Sequence, residues 1–250
     1  MLKISIITVC FNAAETIKST IESIASQNYP IIEHIIVDGG STDGTREIIN
    51  KSTSVSKYIF EPDDGIYDAM NKGIKAATGD IVGILNADDF YENENVLSDV
   101  AAAFFDPLID VVYGDLVYVD KENTDKIIRY WKSRCFVPGL FQRGWMPAHP
   151  TFFVRKHYFD ELGYYDTEYK IQSDFELTMR FLEIYRLTSV YLPNIMIKMR
   201  IGGASNNSLR NIIKGNIESF KACKKNNLKI PFYFNLIKTA SRLPQFWQRP

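Results

Sequence analysis

The chain has 250 residues, of which 46% are hydrophobic, so it is long enough to bury a substantial core. Acidic and basic residues nearly balance at a formal net charge of −1, and no basic cluster is interleaved with aromatic residues in the first two hundred positions, which argues against a nucleic-acid partner. The three cysteines are far apart and form no Cys-x-x-Cys pair, which argues against a disulfide framework or a zinc site.

The first hundred residues alternate short β-branched segments with segments of helical period, which is typical of a parallel α/β sheet. The predicted strands are Lys3–Val9, Ile31–Val37, Val55–Phe60 and Asp80–Leu85, and the predicted helices are Ala13–Ser26, Asp43–Asn50, Tyr67–Ala77 and Asn93–Phe105. Ligands of open α/β sheets bind beyond the carboxyl ends of the strands. Polar residues follow each predicted strand, so we expect four loops to form one binding edge, which we call the rim.

The pattern becomes antiparallel after residue 110. The predicted elements are the strands Val111–Tyr113, Leu116–Val119, Ile127–Trp131 and Thr151–Val154, a helix over Ser173–Tyr185 and a strand over Thr188–Tyr191. No linker rich in Gly, Pro or Ser divides these parts from the first half. The sequence therefore predicts one mixed α/β domain, followed from about residue 207 by a helical, lysine-rich segment that is only loosely tied to the rest.

Asp38 ends an apolar strand and precedes a glycine pair, so its carboxylate should lie on the rim, where a ligand such as a nucleobase could approach the backbone closely. The alternative is that Asp38 only shapes the turn before the next helix. Asn12 and Glu15 follow the first strand and belong to the same predicted rim.

Asn86-Ala87-Asp88-Asp89 follows a buried strand and presents carboxylates where that strand emerges. Magnesium and manganese bind oxygen ligands and keep positions open for phosphate oxygens, so one or two carboxylates and a diphosphate complete such a site. A helix cap made by Asp88 or Asp89 is the alternative explanation.

Two residues of the second half remain ambiguous from their local sequence. Asp174 begins a helix, where capping and the helix dipole explain a carboxylate, although a group transfer to a hydroxyl also needs a carboxylate that takes the acceptor's proton. His149 precedes an apolar strand and could be a metal ligand, a diphosphate contact or a packing residue.

Taken together, the motifs make the chain similar to the inverting family 2 glycosyltransferases with a GT-A fold, especially bacterial enzymes that build surface polysaccharides. The likeness covers residues 3 to 205 and rests on segments in a specific order: Ser5–Asn12, Ile36–Thr45, Asp64–Ile74, Asn86–Asp89, His149–Phe153 and Ser173–Glu176. The resemblance implies a GT-A domain over residues 1–206, with a Rossmann-like parallel nucleotide-sugar-binding half at 1–105 and a partly antiparallel acceptor half at 106–206. Residues 207–250 would form a helical, basic and aromatic C-terminal extension.

The resemblance also implies roles for individual residues. Asp174 looks like the catalytic base, Asp38 like the carboxylate that reads a base such as uracil, and Asp88 like the principal ligand of Mn²⁺ or Mg²⁺. Asp89 and His149 are expected to assist the metal. The donor-binding residues implied by the resemblance are Thr8, Asn12, Glu15, Asp38, Asp68, Asn71, Asn86 and Ala87. Asn86 departs from the family's acidic pattern and is expected to touch the donor, because an amide adds no charge to a metal site.

The expected function is therefore an inverting, metal-dependent transfer of a hexosyl or N-acetylhexosaminyl group from a nucleotide-sugar donor, such as a UDP-sugar, to a saccharide or lipid-linked acceptor in polysaccharide biosynthesis. A sugar-phosphate nucleotidyltransferase is an alternative, but Cys10–Glu15 has neither the glycines nor the basic residue that its loop needs. A dehydrogenase lacks support because Gly-x-Gly-x-x-Gly is absent after the first strand. A non-catalytic sugar-nucleotide-binding protein stays open.

The C-terminal segment mixes cationic with aromatic residues, as an interfacial membrane anchor does. The basic residues are Lys221, Lys224, Lys225, Lys229, Lys238, Arg242 and Arg249, and the aromatic ones are Phe232, Tyr233, Phe234, Phe246 and Trp247. A helix packed on the domain and an oligomer contact are equal alternatives. Because no apolar run approaches about 20 residues and Met1–Val9 lacks signal-peptide features, we expect a cytoplasmic protein, with contact at the inner face of the membrane as an open possibility.

Overall fold

A computed structural model describes residues 1–202 and 209–248. The strands are β1 (Ile4–Cys10), β2 (Ile32–Asp38), β3 (Lys57–Phe60), β4 (Ile81–Ile84), β5 (Asp89–Tyr91), β6 (Val111–Val119), β7 (Ile127–Trp131), β8 (Phe153–Arg155) and β9 (Ser189–Arg200). The helices are α1 (Ile17–Ala25), α2 (Thr45–Lys51), α3 (Ile66–Ala76), α4 (Val96–Ala103), α5 (His157–Leu162), α6 (Ser173–Met179), α7 (Leu209–Lys225) and α8 (Phe234–Ala240).

Over these residues the strands form one nine-stranded sheet in the order β3-β2-β1-β4-β8-β6-β9-β5, with β7 paired to β6. The first four strands are mutually parallel, whereas β8 is antiparallel to both β4 and β6. The expected mixed α/β sheet, with a parallel first half and a partly antiparallel second half, is therefore confirmed. Each of the four strands predicted in the first hundred residues is present.

The central parallel strands β1 and β4 are buried throughout, which explains why they are almost purely apolar, whereas the edge strand β3 is partly exposed. Every residue of β1 is buried. Helix α3 packs so closely on this strand that a Cβ at Gly73 would lie 2.3 Å from Ile7 Cγ2. A Cβ at Gly83 in β4 would lie 2.4 Å from the Phe153 ring of β8. These two glycines allow the close layers that bring the strand ends to one level.

Three strands, two of them in the second half, differ from the prediction. Strand β6 runs unbroken through Gly114-Asp115, where the sequence suggested two strands. Strand β9 continues through Pro193 to Arg200, because register shifts near the proline let the pairing with β6 resume. Strand β5 pairs antiparallel with β9 through Asp89 and Met199, and the polar sequence of Asn86–Asp89 gave no sign of it.

The C-terminal segment is helical, but the expectation that it is loosely tied to the rest is wrong. Ala222 and Cys223 of α7 and Phe234 of α8 are buried in the same core cluster as Phe175 of α6. Lys238 of α8 is also buried. Amphipathic spacing places these residues on inward faces that the sequence alone could not assign to a partner. Among the helices described, none is long and apolar enough to cross a membrane.

Candidate active site

The strand ends of the parallel half lie at one level and form the rim. Cys10, at the end of β1, is aligned with Asp38 at the end of β2, and Asp38 is aligned with Phe60 at the end of β3. Burial raises the pKa of the Cys10 thiol, and the carboxylates of Asp38, Asp43 and Asp63 raise it further. The loops after β2 and β3 therefore bring negative charge to the end of β1.

The loop after β1 is held against the loop after β2. Asn12 adopts a left-handed conformation with φ 52°, its N–H donates to Ser41 Oγ at 2.8 Å, and its Oδ1 accepts the Thr42 N–H at 2.9 Å. Glu15 is largely exposed, and its carboxylate lies 3.0 Å from Lys121 Nζ of the loop that joins β6 to β7. Asn12 and Glu15 thus lie on the rim, as expected for residues after the first strand.

Asp38 is fully buried, and its carboxylate shapes the turn that follows. Its Oδ1 accepts the N–H groups of Gly40 and Ser41 at 3.0 and 2.8 Å, and its Oδ2 accepts the Tyr58 hydroxyl at 3.0 Å. Asp38 therefore does shape the turn before the next helix, as the alternative explanation predicted. Recognition of a base by Asp38 stays a prediction.

Two residues assigned to the donor by resemblance have side chains that the fold uses internally. Thr8 is fully buried, with its hydroxyl 3.0 Å from His34 Nε2, so its side chain is not part of the rim. Asn71 on α3 is buried and exchanges two hydrogen bonds with the backbone of Tyr165, at 2.8 and 3.0 Å. Motif spacing does not report which way a side chain points, because strand alternation and helix packing decide that. The donor-binding roles of Thr8 and Asn71 stay predictions. Asp68 is partly exposed and pairs with Lys72 at 3.1 Å.

Asn86–Asp89 crosses from β4 into β5. Asp88 is partly buried, and burial raises the pKa of its carboxyl, an effect that Arg200 partly offsets. Asp89 is fully buried, and burial followed by the charge of Asp88 raises the pKa of its carboxyl well above the usual range. Asp89 Oδ2 accepts the Asn86 Nδ2–H at 3.2 Å. Ala87 is buried.

Arg200 is a cation at this site that sequence reasoning missed. Its Nη1 donates to the carbonyl of Asp88 at 2.6 Å, its Nη2 donates to Ser19 Oγ at 3.1 Å, and its guanidinium lies 4.6 Å from the Phe90 ring centre. The pairing of β5 with β9 brings Arg200 to Asp88 across 112 positions of sequence. Only that pairing could have revealed it.

The donor atoms at this loop fit a hard cation that also binds phosphate. Asn86 Oδ1 and Asp89 Oδ1 are buried and have no hydrogen-bond partner among the residues described, so oxygen lone pairs are left over beside Asp88. Over the same residues, however, no group of three or more His, Cys, Asp or Glu side chains is placed to hold a metal ion. The expected set of Asp88, Asp89 and His149 is thus not assembled, because His149 contacts a different carboxylate.

That carboxylate is Asp174 in the first turn of α6. His149 Nδ1 lies 3.3 Å from Asp174 Oδ2, and both side chains are more than four-fifths buried. The hydroxyl of Tyr67 donates to the carbonyl of Ile171 at 2.8 Å and also lies 3.4 Å from Asp174 Oδ1. Burial lowers the pKa of His149 and Asp174 partly opposes this, so the imidazole is neutral near pH 7. Asp174 therefore faces a neutral ring and a phenol, and no lysine or arginine pairs with it in the parts of the chain described.

The charges of Asp89 and Asp174 both act on the phenol of Tyr118. Tyr118 is partly exposed on β6, and burial raises the pKa of its phenol while Arg129 and Arg242 lower it. The carboxylates of Asp89 and Asp174 both raise it further. The turn His149–Thr151 contacts both β4, which leads into Asn86–Asp89, and α6, which carries Asp174, so the two acidic positions flank the same turn.

Comparison with known proteins agrees with this geometry. Residues 5–165 match the glycosyl transferase family 2 profile, so the chain belongs to that family. A PGL/p-HBAD biosynthesis glycosyltransferase of Mycobacterium bovis is 31% identical over 209 residues, which cover 81% of this chain and 78% of that protein. The expectation of a glycosyltransferase is confirmed.

Solved structures agree on the fold. TarS 1-349 of S. aureus, in complex with UDP-GlcNAc, superposes with a TM-score of 0.69 at 18% identity, covering 98% of this chain and 72% of that chain. The mannosyltransferase PcManGT from Pyrobaculum calidifontis, in complex with GDP-Man and Mn²⁺, superposes with a TM-score of 0.65 at 18% identity, covering 96% and 69%. The expected GT-A architecture is thereby confirmed.

Proposed function

We propose that this protein transfers a sugar from a nucleoside diphosphate donor, a UDP-sugar in the first instance, to an acceptor hydroxyl with inversion at the anomeric carbon. The observation that carries the proposal is the turn His149–Thr151, which contacts β4 just ahead of Asp88 and Asp89 and places His149 against Asp174. Asp174 can then serve the acceptor while the loop of Asp88 and Asp89 holds the diphosphate. The bound UDP-GlcNAc of TarS and GDP-Man of PcManGT support a nucleotide-sugar donor.

In the proposed reaction Asp174 accepts the proton of the acceptor hydroxyl. The acceptor oxygen forms a bond to the anomeric carbon as the bond to the diphosphate oxygen breaks, and the electron pair leaves with the nucleoside diphosphate. A single in-line displacement of this kind inverts the configuration. His149 and Tyr67 lie on either side of the Asp174 carboxylate and limit its orientation.

Asp88 is the residue that we propose as principal ligand of Mn²⁺ or Mg²⁺, with Asn86 Oδ1 as a further oxygen. A divalent cation there would neutralise charge on the departing diphosphate. Arg200 lies at the same loop and adds a fixed positive charge. The Mn²⁺ of PcManGT supports the use of a metal.

The experiment measures release of nucleoside diphosphate by the wild type and by Asp174→Asn, with Mn²⁺ and a panel of UDP- and GDP-sugars. Candidate donors are first selected by thermal shift, since a ligand of the native state raises its stability. We expect Asp174→Asn to lower release by about 100-fold or more without weakening UDP binding. Asp125→Asn, at an exposed turn, is the matched control. Wild-type turnover by a folded Asp174→Asn protein would disprove the role of Asp174.

We also propose that the C-terminal extension contacts an anionic lipid surface, which suits a lipid-linked acceptor. Ten of the twenty exposed large hydrophobic residues described lie between 209 and 248, a density that a solvated face does not need. On α7 the outward residues Ile213, Ile217 and Phe220 form a stripe at helical spacing. Phe232 is 95% exposed and Leu236 is 74% exposed.

Exposed cations flank these apolar residues. Lys214, Lys221 and Lys224 lie on the solvent side of α7, beside the stripe. Apolar residues that enter the headgroup region and lysines that remain at the phosphates are the two components of an interfacial anchor. Arg249 of the predicted basic set lies outside the described residues. We call the outward residues of α7, Phe232 and Leu236 the tail surface.

A further inference from the structure

The helix that carries Asp174 is fastened by a residue of the C-terminal extension. Glu218 of α7 is buried, and its carboxylate accepts three consecutive backbone N–H groups: those of Lys170 at 3.2 Å, Ile171 at 2.8 Å and Gln172 at 3.0 Å. These N–H groups immediately precede α6, which starts at Ser173. Hydrogen bonds to an ionised acceptor are about twice as strong as neutral ones.

The start of α6 needs such a partner. Its N-cap residue, Gln172, makes no side-chain capping bond. The side chain of Gln172 instead points to the extension, where its Oε1 accepts from Ser219 Oγ at 2.9 Å and from Lys238 Nζ at 2.5 Å. Glu218 therefore acts on the backbone of this segment, and Ser219 and Lys238 act on its side chain.

Further contacts continue along α6 on both sides of Asp174. Lys238 Nζ lies 4.2 Å from the centre of the Phe175 ring, and Asn226 Nδ2 donates to Glu176 Oε1 at 3.0 Å. Residues on both sides of Asp174 in the sequence are therefore in contact with α7, α8 or the residue that follows α7. The family profile ends at residue 165, so none of these supporting residues belongs to the part that matched it.

We propose that Glu218 is a positioning residue for Asp174, so that the C-terminal extension completes the active site as well as carrying the tail surface. This inference rests on the proposed role of Asp174. By holding the backbone of residues 170–172, the carboxylate of Glu218 sets the orientation of α6. The orientation of α6 in turn determines where the side chain of Asp174, in its first turn, points. A displacement of about 1 Å at a catalytic group costs a large factor in rate without removing any substrate contact.

The test compares Glu218→Ala and Glu218→Gln with the wild type. The matched control is Glu168→Gln, which removes an exposed carboxylate that pairs with Lys225 at 2.9 Å. We expect Glu218→Ala to lower kcat about tenfold or more and to leave the donor KM within about twofold, because only the base is displaced. Glu218→Gln should recover part of the loss, since its amide oxygen still accepts a hydrogen bond.

A reporter independent of turnover is the imidazole of His149, which lies 3.3 Å from Asp174. In histidine-labelled protein, we expect the His149 nuclear magnetic resonance signals of Glu218→Ala to move in the same direction as those of Asp174→Asn. If both kcat and the His149 signals of Glu218→Ala keep their wild-type values, the inference is wrong. If Glu218→Ala does not fold, the same two measurements on Glu218→Gln decide.

These outcomes separate the two hypotheses. Turnover by Asp174→Asn at the wild-type rate would overturn the proposed function, whatever Glu218 does. A His149 shift in the Glu218 variants would still show that the extension orients Asp174. Conversely, if Asp174→Asn is inactive and the Glu218 variants are fully active, the proposed function stands and the positioning role of Glu218 is wrong.

Discussion

His149 Nδ1 lies 3.3 Å from Asp174 Oδ2, which links the polar-aromatic loop before β8 to the first turn of α6. This contact settles where the imidazole points in the fold: it faces the carboxylate that we propose as the base. Burial lowers the pKa of His149, and the charge of Asp174 partly opposes this. Several consequences can be measured.

The first concerns His149 itself. We expect His149→Gln to lower kcat about tenfold or more, because Asp174 loses a neighbour that orients it, while Mn²⁺-dependent binding of UDP stays unchanged. Isothermal titration calorimetry and steady-state kinetics check the two parts. His157→Gln, at an exposed helix start, is the control. A loss of metal-dependent UDP binding would instead make His149 a metal ligand.

The second concerns Asp88. We expect wild-type protein to bind UDP more tightly with Mn²⁺ than without it, and Asp88→Asn to lose most of that gain, about tenfold or more in Kd. Asp99→Asn, on the exposed side of α4, should behave as wild type. Calorimetric titration with and without Mn²⁺ measures the difference. Equal gains in Asp88→Asn and wild type would contradict the assignment.

The third concerns the stability of the extension. Burial, followed by the charge of Arg242, lowers the pKa of Lys238 to about 7 from the ordinary value of 10.5. Between these values the unfolded chain binds more protons than the folded chain, so the Lys238 contribution to the free energy of unfolding rises with pH. Below about pH 7, Lys238 is protonated in both the folded and the unfolded chain, so burial of its charge lowers the free energy of unfolding by the full amount.

We therefore compare Lys238→Met with the wild type by urea unfolding at pH 6, 8 and 9. The wild type should gain stability relative to Lys238→Met as pH rises above 7, by on the order of 1 kcal/mol per pH unit at most. The comparison cancels groups that titrate equally in both proteins. A stability difference that does not change with pH would mean that Lys238 is charged throughout.

The fourth concerns the tail surface. We expect the protein to bind vesicles of phosphatidylglycerol at low salt, to bind phosphatidylcholine vesicles less, and to lose about tenfold or more of this binding on Phe232→Ser with Leu236→Ser. Phe105→Ser removes an aromatic residue that is 89% exposed outside the extension and serves as control. Co-sedimentation measures the bound fraction. Equal binding of the double variant and the wild type would remove this surface from the proposal.

Much of the rim could be predicted, because its features are local. Asp38 had to lie where an apolar strand ends, and the glycine pair after it had to turn, so strand period and turn chemistry were sufficient. The surroundings of the Thr8 side chain could not be predicted in the same way. Its place in the motif was visible, but the hydrogen bond to His34 depends on the neighbouring strand.

The contacts around Asp174 and Asp88 were harder to predict from the sequence. The three N–H groups that donate hydrogen bonds to Glu218 lie 46 to 48 positions before it in the sequence. Arg200 lies 112 positions after Asp88, to which it donates. Periodicity identifies the inward face of α7 but does not say which element meets it. These contacts became visible only when the strand order and the docking of α7 were known.

The docking of Glu218 also sets an order of events during synthesis. Strands β1 to β4 can pair as they leave the ribosome, since their contacts with one another are made within the first 84 residues, whereas β5 waits for β9. Helix α6 emerges next but has no carboxylate for its leading N–H groups until residue 218 follows, and no lysine beneath Phe175 until residue 238 does. A nascent chain would thus complete its parallel strands well before the segment that carries Asp174 is fixed in place.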